Sequence, residues 1–281
     1  MKAILNVFLA FIAILIVSCG GKDKKHPAAP CDSLEAIYKL KTVTRLSDMK
    51  DADSVLFQGQ NNKCYLVVSS KTELNSEQSE KLEGSSANCN PCDSDKFCGT
   101  DRNAAKNSVA NAYTLIYKNL PAFIKSLPSD DEMGKTHFPE IRKDSGSKRV
   151  DEEKKNIHIK QSWIYAIAQQ SDGDYRIIIG DSPDKSKAVF FNVAISALPE
   201  MKNSSYNRLH SARQEFKNFF GINNCCTIGK LFVFLTPVEI EFAGSLFFNK
   251  SGYDNKSEIG FKNLKPKTYW EIHPITKIKY L

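Results

Sequence analysis

The chain has 281 residues, 41% apolar and 25% charged, with only 14 glycines and 11 prolines. This is the balance of a globular protein with material for one sizeable domain or two small ones, not of a low-complexity chain. Its formal net charge of +7 suits anionic partners such as phosphate, lipid head groups or acidic glycans, and at this length it does not demand nucleic acid.

Lys2 precedes an unbroken apolar run, Val7 to Val17. A membrane-spanning helix needs about 20 such residues, so the run reads as the apolar region of a signal peptide. It ends in Ile16-Val17-Ser18-Cys19, which resembles the lipobox of bacterial lipoproteins. The resemblance implies that residues 1–18 are removed and that Cys19 carries acyl chains such as palmitate. The membrane is then a partner, and the location is the cell envelope. Gly20, rather than an aspartate, follows Cys19, which points to the outer membrane. The plainer alternative is a cleaved signal with an incidental cysteine. Residues 19–30, rich in Gly, Lys and Pro, form a tether with nothing to bury.

Residues 31–128 read as a small cysteine-bearing α+β unit. Leu34, Ile37 and Tyr38 fall on one side of a helix from Cys31 to Leu40. Ser54 to Gln58 and Cys64 to Ser69 read as strands around the turn residues Gly59 to Asn62. Asp101 is placed to cap a helix whose stripe is Ala105, Val109, Ala112 and Ile116, with Pro121 ending it or opening a further turn through Phe123 and Leu127.

The cysteines are Cys31, Cys64, Cys89, Cys92, Cys98, Cys225 and Cys226, besides Cys19. In an exported chain these are disulfide candidates. Cys89-Asn90-Pro91-Cys92 with Cys98 also admits a zinc site, although its segment holds no histidine for a fourth ligand, or a redox pair. Seven is odd, so at least one is unpaired or pairs between chains. The vicinal Cys225-Cys226 is poorly placed to bond to itself.

Residues 129–155 are charged, mixed in sign and nearly free of branched apolar side chains, and read as a linker or surface loop. Residues 156–281 read as mostly β. Ile157, Ile159, Trp163, Tyr165 and Ile167 alternate along a first strand; Tyr175 to Ile179 follows the turn Ser171 to Asp174; Lys187 to Ser196 is the third. A helix from Ser204 to Phe220 turns Leu209, Ala212, Phe216, Phe219 and Phe220 inward and Arg208, Arg213 and Lys217 outward, with Gly221 at its end. Ile228 to Phe248 is strand broken by Pro237, and Thr268 to Tyr280 closes the set.

Three strands, a helix and two strands is the order of an OB-fold, a five-stranded barrel. The expected fold class is therefore α+β: a small N-terminal unit followed by an OB-like five-stranded β-barrel with one helix. A β-sandwich fragment on one helix is the alternative, and the barrel reading brings the last strand against the first.

Three motifs in the C-terminal half resemble an uncharacterised bacterial family of OB-like domains: the hairpin Asp172-Gly173-Asp174-Tyr175 to Asp181, the helix segment Ala212-Arg213 with Phe216, and the strand Trp270-Glu271-Ile272-His273-Pro274. Arg176 stands where the family has histidine, and Ile275 where it has valine. The resemblance implies the fold and adds little about chemistry.

Glu271 and His273, two apart on a strand, share a face. With Asp174 and Asp181 they could gather at one end of the barrel and hold a divalent cation or share acid–base work. A metal-assisted nuclease or phosphodiesterase is the enzyme reading, and it alone needs a cofactor. A buried hydrogen-bonded pair fixing the strand end is the structural one. Seven lysines and interleaved aromatics from Asn249 to the C-terminus suit a binding surface. Beyond the inner membrane nucleic acid is scarce, so a glycan, peptide or protein is the expected partner. The sequence thus points to a lipid-anchored exported binding or interaction module.

Overall fold

The computed structural model describes residues 31–71, 95–136, 140–142, 144–222, 230–256, 261 and 263–281. The signal run, the tether, Cys19, Cys89, Cys92, Cys225 and Cys226 lie outside the described residues. Nine strands form one sheet: β1 (Thr42–Val43), β2 (Ser54–Gln58), β3 (Cys64–Lys71), β4 (Thr114–Tyr117), β5 (Asn156–Gln169), β6 (Tyr175–Gly180), β7 (Phe190–Ile195), β8 (Lys230–Phe248) and β9 (Trp270–Tyr280). Six helices accompany them: α1 (Cys31–Tyr38), α2 (Asn103–Lys106), α3 (Leu120–Lys125), α4 (Asp130–Thr136), α5 (Tyr206–Phe220) and α6 (Lys250–Asp254).

The strand order is β1-β2-β3-β8-β9-β7-β6-β5-β4, and β8 also pairs with β5. That extra pairing closes β5, β6, β7, β9 and β8 into a five-stranded ring, with α5 between its third and fourth strands in sequence. The fold is mixed α+β, as expected. The seam differs from the expectation, however: β9 lies between β7 and β8, and the ring closes through β8 on β5 rather than through the last strand on the first.

The 19-residue β8 serves three partners. Its start, Lys230 to Phe234, pairs with β3, and its end, Ile240 to Phe248, pairs with β9, while β5 runs along both parts. Between them the β5 register jumps from Val233↔Ala166 to Val238↔Ile164, so Phe234 to Pro237 oppose Tyr165 alone. Pro237 has no N–H for a ladder, and it sits in this irregularity, where the strand passes from one partner set to the next without ending.

Irregularity also corrects the reading of β5. Register shifts fall between Ile159 and Ser162 and between Ile164 and Ala166. Each extra residue flips the alternation. Ile157, Ile159, Ile164 and Ile167 therefore face the main core, while Trp163 and Tyr165 join a second cluster with Ile178 and Leu231.

The main core runs without a break from Val55, Phe57 and Val67 in the N-terminal strands to Phe242, Trp270 and Ile272 in the ring. Helix α5 supplies the junction. Phe219 stacks on Tyr280 with centroids 3.6 Å apart, and Phe220 meets Phe57, Phe234 and Tyr280 at 5.5–5.8 Å. Such contacts add about 0.5–1.5 kcal/mol per pair beyond burial. Gly221 ends the helix at φ 58°, where a Cβ would strike Arg45 Cα at 2.6 Å.

The N-terminal helix and strands form as read. Cys31 is disulfide-bonded to Cys64, tying α1 to β3. Cys98 is disulfide-bonded as well. On α1, Leu34 and Tyr38 pack against Leu56 and Leu66, whereas Ile37 is exposed.

The helix expected from Asp101 through Ile116 does not form. Only α2, one turn, is present, with Arg102 rather than Asp101 at its cap. Beyond it, tertiary side chains take the backbone groups a helix would pair internally. Val109 and Ala110 N–H donate to Ser205 Oγ and Ser245 Oγ, at 3.0 and 2.9 Å. Asn156 Nδ2 donates to the carbonyls of Ala110 and Ala112, both at 2.8 Å. The chain then extends as β4, parallel to β5. Asn119 caps α3, and Pro121 sits in its first turn, as expected of that residue.

The charged stretch read as a linker or surface loop contributes α4 and two buried charged side chains. Glu153, 0% exposed, takes a bidentate pair from Arg102 at 2.7 Å on both oxygens. Arg149 donates to the carbonyls of Leu246, Ala105, Ser108 and His273.

At Gly244 β8 comes close to β9: a Cβ there would lie 2.4 Å from Pro274 O and 2.5 Å from Ile272 Cγ2. Gly244→Ala is expected to cost about 1–3 kcal/mol, seen as a lower urea midpoint at unchanged slope. A wild-type midpoint would contradict this packing.

Candidate functional site

Along β9, Trp270 and Ile272 enter the main core, and Glu271 and His273 project from the opposite face, as their spacing implies. Asp174 lies just before β6 and Asp181 just after it, at opposite ends of that strand. Of the four candidates, Asp174, Glu271 and His273 therefore come together and Asp181 does not. Asp181 instead accepts from Val189 N at 2.6 Å, closing the β6–β7 loop.

His273 is the centre of the group. Its Nε2 lies 3.1 Å from Asp174 Oδ2, an ion pair, and its Nδ1 lies 3.8 Å from Glu271 Oε2, a looser contact. Asp174 Oδ1 accepts from Ala197 N at 2.7 Å, and Glu271 Oε1 accepts from Asn249 Nδ2 at 2.9 Å. Lys106, bonded to Asp172 Oδ2 at 3.1 Å, adds positive charge nearby. All three members are buried, 2–5% exposed.

Burial alone would push the His273 imidazole down, but the Asp174 carboxylate, with Glu271 behind it, holds it above its ordinary value. Burial would raise Asp174; the His273 charge, then Lys106 and the Ala197 amide, keep it low. Glu271 is likewise held down against burial by His273, Arg176 and Asn249. The arrangement thus favours the charged form of the imidazole, set between two carboxylates.

Several charged residues that the sequence did not assign to the site complete the surroundings. Arg213 and Lys217 were expected to face outward, yet both are buried, at 0% and 9% exposure. They donate to Asp95 at 3.0 and 2.7 Å, and Arg213 also reaches Ser196 O at 3.1 Å and lies over the Tyr175 ring. Burial pushes the Arg149 guanidinium down to about 10. These arginines fasten the 95–110 and 144–153 segments over the face of the ring that carries Glu271 and His273. The sequence signal for them was weak, because an arginine on a helix or in a charged run is usually solvated. Asn192, opposite Glu271 in the β7–β9 pairing, was legible as a polar break in an apolar strand. It is 1% exposed, and its amide has no hydrogen-bond partner among the described residues.

Next to this cluster lies a cleft of about 600 Å³. Its walls include Phe97, Asn103, Asn107, Leu198 and Lys202. Ala197, whose amide donates to Asp174, directly precedes Leu198, and Lys106, bonded to the neighbouring Asp172, directly precedes Asn107, so cluster and cleft are joined through the chain. Among the described residues no group of three or more His, Cys, Asp or Glu is arranged to hold a metal ion.

Comparison with protein-family models, with curated proteins and with solved structures found no match for this chain.

The signs of these shifts fix a stability profile. The stabilisation from His273 is complete below its unfolded pKa, about 6.5, and is lost as pH rises through its higher folded value. That from Asp174 and Glu271 is present above about pH 4 and is lost as pH falls through their lower folded values. Thermal stability should peak between these limits. His273→Gln should remove the alkaline fall and, by stranding two buried carboxylates, cost about 3–5 kcal/mol. An unchanged alkaline limb in the variant, measured by melting from pH 4 to 9, would contradict the assignment.

Proposed function

We propose that the protein is a lipid-anchored, exported binding module built on an OB-type barrel. The observation that carries the binding reading is that the acid–histidine group is sealed under the 95–110 and 144–153 segments, while the adjoining cleft is open. Catalysis on a solvent-borne substrate needs reacting groups within reach of that substrate. Here the acid–base groups are spent on each other, and Asp181 is committed to the β6–β7 loop.

The OB reading is supported by the ring order β5-β6-β7-β9-β8, with one helix between its third and fourth strands. The likeness of the Asp172-to-Asp181 hairpin, the Ala212-Arg213 helix segment and the Glu271-to-Pro274 strand to the OB-like bacterial family agrees with it. The anchor reading rests on Ile16-Val17-Ser18-Cys19, with residues 19–30 as the tether. Several acyl chains would hold the protein firmly to the outer membrane. In that setting a glycan, peptide or protein is the partner class, and no metal is needed.

Two measurements test this on the full chain in detergent. Metabolic labelling with palmitate should mark the wild type and be lost in Cys19→Ala; persistent labelling would overturn the anchor. Bis(p-nitrophenyl) phosphate with Mg²⁺, Mn²⁺ or Zn²⁺ should show no turnover above the metal alone. Turnover abolished in a folded His273→Gln variant would instead establish the metal-assisted hydrolase.

A further inference from the structure

Strand β4 ends the sheet. Its one strand partner among the described residues is β5, so the edge turned away from β5 presents backbone N–H and C=O groups with no strand beside them. Sheets commonly guard such an edge with lysine, proline or a bulge along the strand. None of these falls between Tyr113 and Tyr117. Five large apolar side chains are exposed among the described residues, and three of them lie within four positions here: Tyr113 at 96%, Leu115 at 43% and Ile116 at 62%. Side chains alternate along a strand, so β4 offers apolar surface on both of its faces as well as a free edge. Apolar surface gathered in this way is the mark of an interaction site.

The charge around the edge narrows the partner. Residues 111–128, which carry β4 and α3, hold Lys118 and Lys125 and no acid; residues 154–170, which carry β5, hold Lys154, Lys155 and Lys160 and no acid. The parallel register runs from Thr114↔Asn156 to Tyr117↔Ile159, so one step beyond its ends Lys155 falls beside Tyr113 and Lys160 beside Lys118. Lys125 stands in the last turn of α3, which packs on β4 and β5. The nearby acids are engaged elsewhere: Asp151 pairs with Lys154, Glu241 with His158, and Glu239 accepts from Gln161. Lys118, Lys125, Lys155 and Lys160 are in no ion pair among the described residues. Pairing β4 with the β4 of a second copy would bring two such sets of lysines together, and like charges across an interface oppose it.

We infer that the β4 edge captures an extended acidic segment of a partner protein, which adds to the sheet as a further strand. Its main chain pairs with β4, its apolar side chains pack on Tyr113, Leu115 and Ile116, and its carboxylates meet the lysine rim. The inference rests on the binding-module reading and gives that module a partner class.

The test is fluorescence anisotropy of a dansyl-labelled peptide, acetyl-Asp-Glu-Val-Ile-Val-Thr-Glu-Asp-amide, titrated with the full chain in detergent. A control peptide keeps the Val-Ile-Val-Thr core and replaces all four acids by lysine. The acidic peptide should saturate with a Kd of about 100 µM or tighter and the control should bind at least about tenfold more weakly. Tyr113→Ser and Ile116→Asp should each weaken the acidic peptide about fivefold or more. Both side chains are exposed, so both variants should melt as the wild type does; if one does not fold, the other decides. Lys118→Glu combined with Lys155→Glu should reverse the preference between the two peptides. No saturation, equal affinity for both peptides, or binding indifferent to both edge variants would overturn the inference. So would a wild-type dimer in sedimentation that Ile116→Asp dissociates, which would give the edge to a second copy. Failure of peptide binding with a silent phosphodiester assay would remove this partner and leave the binding module; phosphodiester turnover would remove the module itself.

Discussion

Strand β8 is the constraint on which the remaining architecture depends. A strand has two edges, yet this one pairs with β3, β5 and β9 by changing partner along its length. The change takes place at the irregularity containing Pro237, a residue that cannot join a regular ladder. Without it, the first half of β8 would extend an open N-terminal sheet and the second half would have no reason to turn back onto β9. With it, one continuous backbone closes the ring and attaches β1–β3 to it. The aromatic junction of Phe57, Phe219, Phe220, Phe234 and Tyr280 then covers the point where the two parts meet.

Buried charge performs the second task, holding polar segments against the ring. Arg102 with Glu153, Arg149 with four carbonyls, and Arg213 with Asp95 and Ser196 O bind through the two terminal guanidinium nitrogens, while the buried Nε of each has no hydrogen-bond partner among the described residues. Buried pairs of this kind contribute little net stability compared with apolar replacements, but losing one partner leaves an uncompensated charge. Their effect here is positional. They place the 95–110 segment over Glu271 and His273 and, by the same connection, build one wall of the adjoining cleft. The sealed cluster and the open cleft are two consequences of one set of contacts.

The sequence carried the ring strands and α5 well, because their apolar residues repeat at strand and helix periods and Gly221 marks the end of α5. It failed where tertiary partners overrode local pattern. Ala105, Val109, Ala112 and Ile116 have helical spacing, but Ser205, Ser245, Arg149 and Asn156 claim the backbone groups that a helix would need. Trp163 and Tyr165 match the alternation of β5 on paper, but the register shift between Ile159 and Ser162 turns them to the other face, and the shift between Ile164 and Ala166 returns Ile167 to the main core. In the candidate site, two-residue spacing rightly paired Glu271 with His273. The six residues of β6 between Asp174 and Asp181 are enough to carry the latter to the far end of the strand.

The central claim is that β8 makes the N-terminal strands and the ring one cooperative unit. Native-state hydrogen exchange across a denaturant series measures this directly. The account predicts that the most protected amides of β3, β5, β8 and β9 share one opening free energy and one denaturant dependence. If the β3 amides open at a distinctly lower free energy and a smaller dependence than those of β5 and β9, the two parts unfold separately and the claim fails.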